Sequence, residues 1–491
     1  MKRRELMQLV TGSVISGVTI NRRVSAKKPY SPYGSIQVPG AKEAVVGNNN
    51  RFVYVATTDG FTVIDVDNPS KPSIVAQRKN ILSNRDKGPL SDIFDVKVSN
   101  NRLIVVGPAN EQKSALQGAA IYDVSVPSSP TLVDFYSTNY PIHNAYIKDH
   151  LVFLTGNTDT GRQIYIIDIS GKPTRIGSWS IEEYDSAWAD VSLGLWTLHD
   201  VYVQNDMAFL AHWDAGTWIL DISNPSNPSH KMHHSPHPPE QLAKLSDSET
   251  SREVFQLPGN SHYVAVSDDA SLMAVGREAW DIEPSNDEIR GPGGIDLFDI
   301  TGDQIVHHGT IEPPPTPDPS FGGVRTTAHN FDIEGERLYS AWYQGGIKIH
   351  NISDPSNPKE IAWWRRPDKA SFWTAQKAGS CVVGSSWRSS ADDGTRFARI
   401  YTFPDRPGTQ VNPPLLAPTT TTTSVQTTTV TPTPSPTPTQ TQTETATTTP
   451  TETSTPTPTI NEIETNGQPG YGMGIAGLAL MIEGIRRYRK R

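Results

Sequence analysis

Four histidines share one position in the chain: each opens a short β-type run in consecutive repeats. They are His143, His199, His262 and His329. Neutral imidazole is the commonest metal ligand in proteins. If the repeats bring these side chains to one axis, they can hold iron, copper, zinc or manganese. Two other roles stay open: a polar residue that hydrogen-bonds a neighbouring strand, and direct contact with an organic ligand.

The element that must position the histidines is a repeated phrase, an apolar strand followed by a Pro/Asn/Ser turn. It reads TVIDVDNPSKP ending at Pro72, WILDISNPSNP ending at Pro228 and KIHNISDPSNP ending at Pro358. Looser copies surround Asp123, Asp168 and Asp299. Each copy leads into a second short strand, and a repeat of this length predicts an array of similar units.

The repeats predict an all-β fold, a seven-bladed β-propeller of four-stranded blades spanning residues 33–405. The seventh unit stops at Pro404 without a fourth strand. A spare strand, GSIQVP from Gly34, precedes the first unit. We therefore expect this N-terminal strand to complete the last blade, which closes the ring and protects the sheet edges.

Aligning the blades gives a column at the start of the innermost strand. It contains Glu43, Phe94, the four histidines and Phe372, and it is expected near the mouth of the central channel. The long connections fall on the same face, where loops on a rigid scaffold often bind ligands. We expect Glu43, Arg277, Arg325 and Trp188 to line a ligand pocket there.

Composition excludes several classes of protein. The net charge is -9 and no basic stripe is present, which argues against nucleic acid as a partner. A single cysteine, Cys381, excludes an internal disulfide framework. No phosphate-binding loop, Cys/His zinc motif or nucleophile elbow occurs. A second histidine group, His230, His233, His234 and His237, can bind metal adventitiously, but it is interpreted as a solvated loop in preference.

Both chain ends read as processing or spacer segments. Residues 1–26 form an export signal, with Arg3-Arg4 resembling the twin-arginine type. Residues 412–459 are rich in Thr and Pro and predict a disordered stalk, because they cannot bury enough surface to offset the ordering entropy. Residues 469–491 combine an apolar stretch with a basic end and predict a sorting or membrane segment.

The repeated phrase resembles the LVIVD repeat of secreted and surface propellers of archaea and bacteria. The tail resembles an archaeal PGF-CTERM sorting signal, which is cut and exchanged for a lipid anchor. These resemblances imply an exported, membrane-anchored protein of the cell surface. Asn351-Ile-Ser is an N-glycosylation sequon, so Asn351 is a hypothetical glycan site.

The favoured function is a binding module that takes a surface protein, a glycan or a small molecule on the loop-rich face, rather than an enzyme. The first alternative is a metal-dependent oxidoreductase or lyase with a four-histidine metal on the propeller axis. The second is a structural component of the cell envelope without a ligand. The sequence does not name the ligand, the metal or the substrate.

Overall fold

The computed structural model describes residues 29–112, 114–282, 290–388 and 398–416. These residues form seven antiparallel sheets, and the innermost strands of successive sheets contact one another around a closed ring. The predicted seven-bladed β-propeller is therefore confirmed. The predicted export signal, the predicted C-terminal segment and nearly all of the predicted stalk lie outside the described residues.

Blades one to four each consist of consecutive strands that follow one another from the inside of the ring outwards. Blade one contains Ala44–Val46, Phe52–Thr57, Gly60–Asp65 and Ser73–Arg78. Blade two contains Asp95–Ser99, Arg102–Gly107, Gly118–Asp123 and Thr131–Ser137. Blade three contains Ala145–Lys148, Leu151–Thr158, Gly161–Asp168 and Thr174–Trp179. Blade four contains Leu198–Gln204, Met207–His212, Gly216–Asp221 and Ser229–His234.

The remaining blades follow the same plan until the ring closes. Blade five contains Ser261–Val266, Leu272–Arg277, Ile295–Asp299 and Val306–Ile311. Blade six contains Phe331–Glu334, Arg337–Ala341, Ile347–Asn351 and Lys359–Trp364. Blade seven contains Ser371–Ala378, Cys381–Arg388 and Arg399–Pro404 from the C-terminal side of the domain.

The fourth strand of blade seven comes from the other end of the chain. Gly34–Gln37 pairs antiparallel with Arg399–Pro404, with Gly34 opposite Thr402 and Gln37 opposite Arg399. Val38 and Ala41, which follow this strand, are completely buried. The N-terminal strand thus closes the ring as the sequence predicted.

The aspartate of the repeated phrase holds the turn between the third and fourth strands. Asp65 Oδ1 accepts a hydrogen bond from the Asp67 amide at 2.9 Å, and Asp221 Oδ1 accepts one from the Ser223 amide at 2.8 Å. Such local side-chain bonds favour a turn over continuation of the strand. The following apolar residue donates its amide to the preceding turn, as Val66 does to the Arg51 carbonyl at 2.9 Å.

Each blade packs against the next through an apolar cluster. In the described part of the chain, seven such clusters occupy the seven blade interfaces, including the one between blades seven and one. There Val383 and Ile400 pack with Val53 and Ile64. Because the innermost strands are buried on both faces, they are apolar or neutral along most of their length.

The connections on one face carry the only helices in the described residues. Ile181–Tyr184 and the 3-10 helix Ser186–Asp190 lie between blades three and four, while Pro239–Leu242 and Asp247–Glu253 lie between blades four and five. Capping boxes begin Ile181–Tyr184 and Asp247–Glu253. None of the described helices has the length and apolar character needed to cross a membrane.

After blade seven the chain continues over the outer edge of blade six. Gly408–Thr409 pairs parallel with Lys359–Trp364. Arg365 Nε donates to the Pro414 carbonyl at 2.9 Å, and Leu416 is buried. The packed part of the chain therefore extends beyond residue 405, where the sequence placed the end of the domain.

Candidate functional site

A closed ring of side chains, which we call the entrance ring, surrounds one mouth of the central channel. Each blade contributes one residue: Lys42, Phe94, His143, His199, His262, His329 and Trp373. The centroids of successive histidine rings are 4.5, 3.9 and 4.7 Å apart. Lys42 Nζ closes the ring, 5.1 Å from the Phe94 centroid and 5.3 Å from that of Trp373.

The entrance ring differs from the expected column in blades one and seven. Phe372 lies in the apolar cluster between blades six and seven, because the strand register shifts on both sides of it and brings Trp373 to the channel. In blade one, Lys42 takes the ring position and Glu43 lies one residue further along, completely buried beneath the ring. Asn330 Nδ2 donates a hydrogen bond of 2.5 Å to Glu43 Oε2.

Three of the histidines are held in one tautomer by backbone carbonyls. The Nδ1 atoms of His143, His199 and His329 lie 3.2, 2.9 and 2.5 Å from the carbonyl oxygens of Ala109, His262 and Trp373. Because a carbonyl only accepts, Nδ1 carries the proton and Nε2 keeps its lone pair. These Nε2 atoms receive no hydrogen bond from the described residues and are not sealed from solvent.

Burial keeps these three imidazoles neutral. It lowers the pKa of His143, lowers that of His199 well below its usual value and lowers that of His329 to about 3, with His262 adding to each effect. The floor of the site therefore offers neutral nitrogen lone pairs at physiological pH. Such atoms can accept hydrogen bonds from a ligand or bind a metal ion.

His262 is held differently, by a carboxylate. Its Nε2 lies 3.1 Å from Glu278 Oε2, while the Tyr343 hydroxyl donates to Glu278 Oε1. Burial acts to raise the pKa of Glu278, but His262 and Tyr343 outweigh it and lower that pKa to about 2. Nδ1 of His262 is buried without a hydrogen-bond partner in the described structure. Glu278 is thus an ionised carboxylate at the edge of the ring, in contact with His262 and hydrogen-bonded by Tyr343.

The entrance ring is part of the floor of a large bowl. The cavity has a volume of about 1680 Å³. Its walls come from the connections between blades and from the loops between second and third strands. They include Arg85, Lys87, Glu111, Asp159, Arg162, Asp190, Trp213, Phe255, Trp280, Phe321, Arg325 and Trp387. The long loops and the histidines thus share one face, as the sequence analysis expected.

A second layer of buried polar groups lies beneath the entrance ring. Lys97 donates to Asp95, whose other oxygen accepts the Ala145 amide at 2.8 Å. Burial raises the pKa of Asp200 well above its usual value and that of Glu43 to about 7. One oxygen of each of these two carboxyl groups is buried without a hydrogen-bond partner in the described structure. The layer below the ring is therefore polar and buried.

The structure separates the four residues that the sequence assigned to the pocket. Arg325 lines the bowl, with its guanidinium 4.7 Å from the Phe321 centroid. Trp188 is buried in the cluster between blades three and four. Arg277 is buried and forms an ion pair with Asp296 at 3.0 Å. Glu43 lies beneath the floor, so only Arg325 of the four faces the cavity.

Two other predicted sites lie away from the bowl. Asn351 ends the third strand of blade six, where its Oδ1 accepts a hydrogen bond from the Ser353 amide at 3.2 Å, as the aspartates do elsewhere. The second histidine group belongs largely to the outer strand of blade four. His230 Nε2 lies 3.0 Å from His233 Nδ1, and the His233 ring stacks on Trp218 with their centroids 4.0 Å apart. A strand therefore replaces the solvated loop expected there.

Among the described residues, one group of three metal-ligating side chains at the entrance ring is compact enough for a shared ion. Nitrogens of His262 and His329 and an oxygen of Glu278 lie within 4.8 Å of one another. No equally compact group of three or more such side chains within the described ranges includes His143 or His199. The four-histidine metal site remains a prediction, and it requires these side chains to move inwards.

Sequence reasoning did not assign Lys42, Tyr343 or Trp373 to the site. Lys42 and Trp373 are each one residue from the column positions chosen by alignment, and Tyr343 lies in a loop between strands. For Trp373 the deciding feature is the shift of strand register at Phe372, which presents the next side chain to the channel. No sequence feature marked Trp387 as a site residue. Its ring centroid lies 4.5 Å from Lys42 Nζ only because blade seven closes against blade one.

Comparison with known proteins supports the repeat and the fold. The family profile of the LVIVD repeat matches residues 44–78, 116–138 and 198–234. The β-propeller domain of Cps50 (Swd1) from Myceliophteria thermophila is similar at 9% identity and a TM-score of 0.50, covering 77% of this chain and 99% of that one. A chain of a mitotic checkpoint complex has 12% identity and a TM-score of 0.48, covering 82% and 99%. No curated protein matches the sequence significantly.

Proposed function

We propose that this LVIVD-repeat β-propeller is a binding module that takes a small organic molecule or the end of a glycan in the bowl. The observation that carries the proposal is the set of three Nε2 lone pairs, on His143, His199 and His329, open to one cavity with every Nδ1 already committed to a carbonyl. Preset acceptors on a rigid floor reduce the entropy lost when a ligand binds.

The lining defines the chemistry of the ligand. Hydrogen-bond donors such as hydroxyl or amide groups suit the imidazole acceptors, while apolar faces suit the indole rings of Trp213, Trp373 and Trp387. The volume of about 1680 Å³ exceeds the roughly 300–1,000 Å³ of ordinary small-molecule pockets. A ligand longer than a single sugar or amino acid therefore fits the bowl.

A metal-dependent oxidoreductase or lyase is the second candidate. The cluster of His262, Glu278 and His329 favours it, since two imidazoles and one carboxylate are a common ligand set for iron and related ions. For such an ion to bind, Glu278 must exchange its hydrogen bonds from His262 and Tyr343 for metal coordination. Acceptance of an organic ligand needs no such exchange, which is why the binding module is preferred.

Replacement of ring histidines by phenylalanine tests both candidates. We expect ligands found by NMR screening of oligosaccharides and aromatic amides to lose about tenfold in affinity in His199→Phe, because one hydrogen-bond acceptor disappears while ring volume is kept. The control is His308→Phe, on the outer strand of blade five.

The same proteins also distinguish the two candidates. Hits that bind equally to wild type and to His199→Phe and His329→Phe contradict the binding proposal. Elemental analysis of the purified proteins decides the second candidate: about one metal ion per chain, lost in His329→Phe and kept in His308→Phe, supports an enzyme. A metal content unaffected by His329→Phe removes it.

We further propose that the bowl is presented outside the cell on a membrane anchor. The support comes from the sequence: the basic start and small-residue site within residues 1–26, the Thr/Pro tract at 412–459 and the apolar and basic tail at 469–491. A protein placed at the surface in this way meets glycans, small molecules and surface proteins. These are the ligand classes that the site suits.

A further inference from the structure

A second cluster of metal-ligating side chains lies outside the entrance ring. Asp214 is in the loop after the second strand of blade four, His237 follows the outer strand of that blade, and Glu253 ends the helix Asp247–Glu253. One ligand atom from each residue lies within 4.8 Å of the other two. Asp214 is fully buried and His237 is 7% exposed.

The buried polar atoms of this cluster lack ordinary partners. Neither oxygen of the Asp214 carboxylate forms a hydrogen bond of acceptable geometry in the described structure, although the Asn260 backbone amide lies near it. His237 Nε2 lies 3.3 Å from Glu253 Oε1 yet does not form a bond of acceptable geometry with it. The side-chain oxygen of Asn260 is likewise buried and unpaired. Buried oxygens and nitrogens without hydrogen bonds are rare in folded proteins and often mark an ion or water.

The surrounding charges leave one negative charge uncompensated. Glu253 is paired with Arg290 at 3.1 Å, and Arg277 is paired with Asp296 at 3.0 Å. Among the described residues, no cation forms an ion pair with Asp214. An ionised carboxylate without a partner is costly to bury, so the site must hold either a proton or a cation.

We propose that Asp214, His237 and Glu253 bind one divalent transition-metal ion, with zinc and manganese as the ions that suit one imidazole and two carboxylates. Metal–ligand bonds of about 2.0–2.2 Å place ligand atoms roughly 3 to 3.6 Å apart. The His237–Glu253 separation of 3.3 Å already meets this requirement. Asp214 needs a shift on the order of 1 Å to complete the set.

Asp214 lies close to the backbone at Gly259. A Cβ atom added at Gly259 would lie 1.6 Å from Asp214 Oδ1, so only glycine allows the carboxylate to lie there. The adjacent Asn260 amide group donates to the Val254 carbonyl at 2.8 Å, which leaves its oxygen available as a further ligand. The cluster therefore has a preset acidic side as well as an imidazole.

The ion joins blade four to the long connection that follows it. That connection supplies Leu242, Leu245, Thr250 and Phe255 to the wall of the bowl. An ion held between Asp214 and the connection fixes that wall against the floor. The site is distinct from the entrance ring, and its role is to shape the bowl rather than to contact the ligand.

Metal analysis of full-length protein tests this proposal. We expect wild-type protein incubated with Zn²⁺ or Mn²⁺ and then desalted to keep about one ion per chain, and Asp214→Asn and His237→Gln to lose it. Asp206→Asn is the matched control, since Asp206 is an exposed aspartate of the same blade. EDTA should lower the melting temperature of wild type by at least about 3 °C and leave Asp214→Asn unchanged.

Each other outcome has a defined meaning. No bound ion and no thermal response to either metal in wild type overturns the proposal. An ion that persists in Asp214→Asn and His237→Gln also overturns it. An ion that persists in His199→Phe and His329→Phe but not in Asp214→Asn supports it, whatever the outcome of the ligand screen. If Asp214→Asn does not fold, His237→Gln supplies the decision.

Discussion

Glu43 shows how strongly the channel perturbs a single carboxyl group. Burial raises its pKa from the usual 4.5 to about 7, against the opposing attraction of Lys97. Its neighbours in the layer, Asp95 and Asp200, are raised in the same direction. Lys97 is thus surrounded by more carboxyl groups than it can neutralise, and protons make up the difference.

The pH dependence of stability follows from this shift. Between about pH 4.5 and 7 the folded protein keeps the Glu43 proton while the unfolded chain releases it, so this group makes the free energy of unfolding fall as pH rises. In Glu43→Gln that contribution is absent. We expect the stability of wild type relative to Glu43→Gln to fall by up to about 3 kcal/mol across the window and to level off above it.

Urea unfolding at pH 4.5 and 7.5 measures this difference. Glu336→Gln is the control, because Glu336 is exposed in a turn of blade six. Parallel pH profiles for wild type and Glu43→Gln would show that Glu43 is ionised in the folded protein throughout. The measurement is independent of any ligand or metal in the bowl.

At the scale of the element, the N-terminal strand has an importance beyond its four residues. Gly34–Gln37 covers the edge of blade seven, and the residues after it fill the interface with blade one. A missing outer strand leaves unpaired amides and an open apolar cluster. We therefore expect a chain lacking residues 33–40 to melt at least about 10 °C lower or to fail to fold cooperatively.

A peptide with the sequence of residues 33–40 provides the complementary test. Added to the shortened chain, it should restore part of the lost melting temperature by pairing with Arg399–Pro404, whereas a scrambled peptide should not. An unchanged melting temperature of the shortened chain would refute the role of this strand in closure.

The repeats revealed where the two helical connections lie, but not that they form helices. Each contains a helix that begins with a capping box, at Ser180 and at Ser246, and these boxes were readable in the sequence. What they pack against was not readable. Trp188 resembles a pocket residue by type and loop position, yet its ring lies in the cluster between blades three and four.

At the scale of the molecule, the ring of blade interfaces explains why the bowl is rigid. The described residues supply an apolar cluster at every interface, and both ends of the described chain pair near blades six and seven. The backbone of the entrance ring therefore has little freedom. A floor that is already arranged in the free protein suits binding, because little conformational entropy is lost when a ligand contacts it.

The proposed location is tested on the whole chain by cell fractionation. We expect the full-length protein in the membrane fraction and a chain ending at residue 459 in the medium, because the predicted anchor lies at residues 469–491. A chain starting at residue 27 is the control and should stay inside the cell. Full-length and shortened chains found in the same fraction would contradict anchoring by the tail.

The sequence by itself determined the blades and the histidine column. Repeated strand-and-turn phrases recur because each aspartate forms the same local bonds, so blade number, ring closure and the face carrying the long loops followed from the chain alone. Local chemistry of this kind depends on residues two or three positions apart. It is visible without a structure.

Only the tertiary structure decided which side chains share a site. A shift of one residue in a strand exchanged Phe372 for Trp373 in the ring, and Glu43 lies beneath the floor although its neighbour Lys42 is part of it. The meeting of Asp214, His237 and Glu253 depends on a loop, a strand end and a helix that the sequence separates. Such contacts are set by strand register and by packing between distant segments, which sequence spacing does not encode.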